Sequence, residues 1–121
     1  MFQEVKEMLP VMGDDYDAQI ITQIKAAALD LTTSAEIKLP GVIAITRTQN
    51  QQGIWTVNDQ STVTDELIIV TIATWCNMMI GNPPNVDFLK KAYEGFKGQL
   101  RLSKNYTTYG GSENDEDDGQ L

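Results

Sequence analysis

Residues 67–80 carry no charged side chain, and their polar positions, Thr71, Thr74 and Asn77, fall three apart on one narrow strip. The β-branched run from Ile68 to Ile72 would also suit a strand. Length decides for a helix, because the run is long and Gly81, Pro83 and Pro84 make a strong stop. Thr64 or Asp65 can cap it. A helix that is apolar nearly all round must be covered nearly all round. The rest of a 121-residue chain offers limited cover, so neighbouring subunits enter the reading. Ile69, Ile72, Trp75 and Met79 are then candidates for a subunit interface, and a central core helix in a monomer is the alternative. The segment is shorter than the ~20 residues needed to span a bilayer, so no membrane partner is expected.

The rest of the chain is organised around that helix. Phe2, Val5 and Leu9 recur at helical spacing, and Pro10 ends the short helix they define. Asp14 or Asp15 can cap a second helix over residues 15–35, whose apolar face is Ile20, Ile21, Ile24, Ala27, Ala28 and Leu31. Pro40 and Gly41 break it. Residues 42–48 and 53–57, rich in β-branched and aromatic side chains, predict a hairpin-like excursion or a long structured loop over 40–62. Trp55, its one large aromatic, either pins this insertion to the body or projects to a partner as a loop contact. Asn85 or Asp87 starts a fourth helix with the apolar face Phe88, Leu89, Ala92, Tyr93, Phe96 and Leu100. The fold class is therefore mainly α: a bundle of about four helices with an insertion near 40–62. Residues 1–104 form the domain, and residues 105–121 form a flexible acidic tail.

Charge separates the last two parts. Residues 88–104 carry Lys90, Lys91, Lys97, Arg101 and Lys104 against Glu94 alone. The tail holds Glu113, Asp115, Glu116, Asp117 and Asp118, and such a composition is expected to be disordered when free. The net charge of −8 disfavours binding to free DNA, where affinity comes mainly from cations meeting phosphates.

Little catalytic chemistry is on offer. The chain has no histidine, which removes the commonest general base and metal ligand. Its single cysteine, Cys76, lies in the apolar run and reads as a buried reduced thiol. There is no Gly-rich phosphate loop. Asp14, Asp15 and Asp17 cluster where capping alone explains acids. The expectation is a soluble intracellular protein that is not an enzyme and needs no metal or cofactor.

In the order and character of residues 1–104 the chain resembles the head–tail connector (adaptor) proteins of tailed phages, a family with a Gln-Leu-Arg-Gly signature near its C-terminus. Here the signature reads Gln99, Leu100, Arg101 and Leu102, with leucine in place of the glycine. The insertion at 40–62 is longer than is usual there. The resemblance implies a virion protein of the neck: a homo-oligomeric ring, a dodecamer, below the portal protein. Such a ring extends the DNA channel after packaging, passes DNA without sequence-specific contacts, and carries a stopper or tail-completion protein. It implies portal docking by the C-terminal segment, with Gln99, Leu100, Arg101, Lys104, Tyr106 and Tyr109 as contacts. Two other readings stand beside it. One is a small acidic regulator, or DNA mimic, that inhibits a host nucleic-acid-binding protein. The other is a different neck or tail-completion protein.

Overall fold

A computed structural model describes residues 1–103 of the chain. In order, the elements are α1 (Phe2–Glu7), α2 (Asp17–Thr33), β1 (Ile45–Gln49), β2 (Trp55–Asp59), α3 (Glu66–Met79) and α4 (Val86–Leu102). The described part is thus mainly helical with one small hairpin. The acidic tail and the proposed arm over 105–121 lie outside the described residues.

α3 is the axis of the bundle, and α1, α2 and α4 all pack against it. Asp65 caps its start, its Oδ1 accepting the Leu67 N–H at 3.0 Å and the Ile68 N–H at 3.2 Å. It ends where Gly81 takes a left-handed φ of +78°, a conformation that costs glycine little. Ile68, Ile69, Thr71, Ile72, Ala73 and Cys76 are all buried. The expectation that one protomer could not cover this helix is therefore corrected. Three helices, with Ile37 before the hairpin and Ile45 and Val63 at its base, cover it except toward its Met79 end. The polar strip is corrected too: Thr71 faces the core, and its hydroxyl donates to the Leu67 carbonyl at 2.6 Å. That bond removes the penalty of an unpaired buried hydroxyl.

α2 begins at Asp17, later than the sequence predicts, and neither Asp14 nor Asp15 caps it; Tyr16 holds the cap position without a side-chain bond. The reason is long-range. Lys6 reaches from α1 to Asp14 at 3.2 Å and Asp17 at 2.8 Å, which draws the Asp14 carboxylate away from the helix N–H groups. At α4 the helix starts directly after Asn85, again without a side-chain cap. Its buried positions are Leu89, Tyr93 and Leu100. Phe88, assigned to the same face, is exposed, because successive helical residues are rotated by ~100° and the packed stripe centres on Leu89.

The hairpin is antiparallel, pairing Ile45 with Asp59 and Gln49 with Trp55. Its first strand starts three residues and ends one residue beyond the predicted 42–48, and its second lies two residues beyond the predicted 53–57. Its base continues inward through Gln60 N–H to Ala44 O at 2.8 Å and Thr62 N–H to Val42 O at 2.9 Å. Asn50 closes the tip, its Oδ1 accepting the Gln52 and Ile54 N–H groups at 2.9 Å each, while Gly53 supplies a φ of +82°. At the base Gly41 is required by space: a Cβ there would lie 2.7 Å from Thr62 Oγ1 and 3.0 Å from the Thr62 carbonyl carbon.

Candidate assembly surfaces

Of the four side chains assigned to a subunit interface, Ile69 and Ile72 are 4% and 0% exposed. They belong to the protomer's own core, which corrects that assignment. Trp75 is half-buried: its indole N–H donates to Gln23 Oε1 at 2.9 Å, and its ring meets Tyr93 at 5.2 Å between centroids, tilted by 59°. Met79, at the end of α3, is 46% exposed. Trp75, Met79, Val86 and Tyr93 share a groove of about 370 Å³ between α3 and α4. The sequence strip thus divides into a covered half and an open end.

Behind this groove a polar cluster ties α4 to α2. The Tyr93 hydroxyl donates to Asp30 Oδ2 at 2.6 Å, and Lys97 Nζ reaches the same oxygen at 3.2 Å. Burial, then the Asp30 carboxylate, pushes the Tyr93 phenol well above its usual range. Nothing in the local pattern announces this contact, although Tyr93 and Lys97 do stand one helical turn apart on the same face.

The portal-docking set is also split. Gln99 and Arg101 are exposed. Leu100 is fully buried, a correction, since the helical period that places Leu89 and Tyr93 inward carries Leu100 with them. Lys104, Tyr106 and Tyr109 lie outside the described residues.

Trp55 stays on the hairpin. The Arg47 guanidinium lies 4.1 Å from its ring centroid, a cation–π contact between neighbouring strands. About half of Trp55 is exposed, and it borders a recess of about 430 Å³ with Phe2, Lys6, Asp17 and Asp59. The latch between hairpin and body is Asp59 instead. Its Oδ2 accepts the Phe2 N–H at 2.6 Å and lies 3.0 Å from the N-terminal ammonium, while Oδ1 accepts the Ser61 N–H at 3.0 Å. Burial alone would raise the Asp59 carboxyl. The hydrogen bonds from Phe2 and Ser61, with the ammonium, outweigh it and bring it down to about 2.

Cys76 is buried, and burial pushes its thiol up to about 12, which keeps it protonated and unreactive. Among the described residues no group of three or more His, Cys, Asp or Glu side chains could hold a metal ion, and no helix is long and apolar enough to cross a membrane.

The surface carries several large apolar side chains at separate places. Met8 and Met12 stand exposed at the corner between α1 and α2, Leu29 and Val42 border a recess beside α2, and Phe88 and Leu102 project from α4. Comparison of the chain with protein-family models, with characterised proteins and with solved structures finds no match.

Proposed function

We propose that this chain is a structural head–tail connector of a tailed phage, a non-enzymatic adaptor that forms a ring below the portal, lengthens the DNA channel and joins head to tail. The resemblance of residues 1–104 to that family supplies the reading. The observation that carries it furthest is the exposure of Phe88 and Leu102 together on α4, with Met12 and Leu29 exposed elsewhere on the same small bundle. Apolar residues exposed singly are ordinary, whereas a face that groups them, as α4 does with Phe88 and Leu102, suits a protomer that another chain covers. A closed ring needs two unlike surfaces per protomer, one for each neighbour.

Because Leu100 is core, docking to the portal falls to Gln99, Arg101 and the residues from 104 onward. Acidic side chains turned to the channel would repel the DNA backbone and let it slide.

Capture by a portal protein, with the full chain and with a chain ending at Ser103, tests the reading. The full chain should bind and build a ring visible by electron microscopy, and the shortened chain should lose portal binding. A full chain that neither binds portal nor forms a ring overturns it. The acidic-regulator reading predicts instead displacement of DNA from a host protein, and Lys90, Lys91 and Arg101, exposed on α4, weigh against it.

A further inference from the structure

α4 has a second face that the protomer leaves uncovered. Phe88, Gly95 and Leu102 stand seven residues apart, so they fall close to one line along the helix. Lys91 lies on the same side, one turn from Phe88. Phe88 is 69% and Leu102 87% exposed. A Cβ at Gly95 would meet nothing within 4 Å. Glycine in mid-helix is less favourable than alanine, yet here no neighbour in the protomer needs the space. A stripe of apolar ends, a cation and a bare backbone is the form of a helix face that another chain approaches closely.

The complement stands elsewhere on the same molecule. The corner between α1 and α2 exposes Met8 and, at 91%, Met12, flanked by the exposed acids Glu7 and Asp15. Lys6 braces this corner through Asp14 and Asp17. α1 and α4 both pack on α3 but do not form a packed pair with each other, so the two surfaces are free to be used at once. Lys91 and Asp15 enter no ion pair among the described residues.

We propose that the open stripe of α4, at Phe88, Lys91, Gly95 and Leu102, docks against the α1–α2 corner of a second copy, with Lys91 facing Asp15 and Met12 seated at Gly95. Apolar side chains meet apolar side chains, the charges are opposite, and the two unlike surfaces pass the contact from copy to copy. The proposal rests on the ring reading and names the surfaces that build it.

Sedimentation velocity on the full chain at low salt and high concentration tests it. The wild type should self-associate, less so as salt is raised. Lys91→Glu and Asp15→Lys should each weaken association by about tenfold, and mixing the two variants should restore it, since each then meets an opposite charge. Gly95→Gln removes the risk of misreading a folding defect: glutamine is the better helix former, so Tm should hold or rise while association falls.

Variants that associate like the wild type, a mixture that does not recover, or a wild type that stays monomeric all overturn the proposal. If removal of residues 104–121 abolishes association while the stripe variants do nothing, the acidic tail is the partner and the proposal also falls. A ring that still forms on portal with Gly95→Gln present refutes the docking surface alone and leaves the connector reading standing.

Discussion

The Asp59 latch makes a quantitative prediction. Asp59→Asn keeps the shape of the side chain but removes the charge that holds the Phe2 N–H and the N-terminal ammonium. The carboxyl falls from 3.8 to about 2 on folding. At about 1.4 kcal/mol per unit that drop corresponds to roughly 2–3 kcal/mol. The Asp59 side chain keeps 21% of its surface open to water, so screening reduces the figure, and ~1 kcal/mol is the expected loss at neutral pH. The sign follows from a pKa that is lower in the folded state. The contribution is present above the unfolded value and is lost as pH falls through about 4 toward about 2.

Urea unfolding of the wild type and Asp59→Asn across that range should therefore show two curves about 1 kcal/mol apart at neutral pH that converge in acid. The converging curves identify charge as the cause. A variant as stable as the wild type at neutral pH, or a gap that persists unchanged in acid, would refute the reasoning.

Ile72→Ala should cost ~2–5 kcal/mol by leaving a cavity in the core, whereas Met79→Ala should change stability by no more than about 0.5 kcal/mol; chemical denaturation of both separates core from surface along one helix. Tyr93→Phe removes a short bond to a carboxylate and should cost ~1.5–3 kcal/mol by the same measurement, with Lys97 left as the partner of Asp30. Cys76 should react with a thiol reagent at neutral pH only as fast as the protein unfolds, and prompt labelling of the native chain would show that the thiol is not buried. Gly41→Ala should lower Tm, because the Thr62 backbone must shift to admit the new methyl group.

Features set by neighbours in sequence were legible in advance. The Asp65 cap, the stop at Gly81 and the apolar period of α2 depend on residues within a turn or two. The hairpin was legible in kind but not in register, since β-branched residues also precede the first strand, at Val42 and Ile43, and flank the second, at Ile54, Thr62 and Val63. What failed were inferences about partners far along the chain. Asp14 reads as a cap until Lys6 arrives from α1, and Asp59 joins Phe2 across a separation of 57 residues. The candidate interface failed at Ile69 and Ile72 for a different reason. Hydrophobicity shows that Ile69 and Ile72 must be covered, but not whether the same chain or another does the covering. Leu100 carried two conflicting expectations, core by period and docking by motif, and packing decided for the core.

The closure of the hairpin tip by its own bonds has a consequence for change over time. Asn50 satisfies the turn from within, and Gln49 Nε2 adds a bond to the Gly53 carbonyl at 3.1 Å. The strands are held at the other end, by Gly41 against Thr62 and by Asp59 against Phe2. Alterations at residues 50–54 therefore stop at the tip and do not reach the bundle. The body and its edges can stay unaltered while the projecting end is replaced, lengthened or given a label.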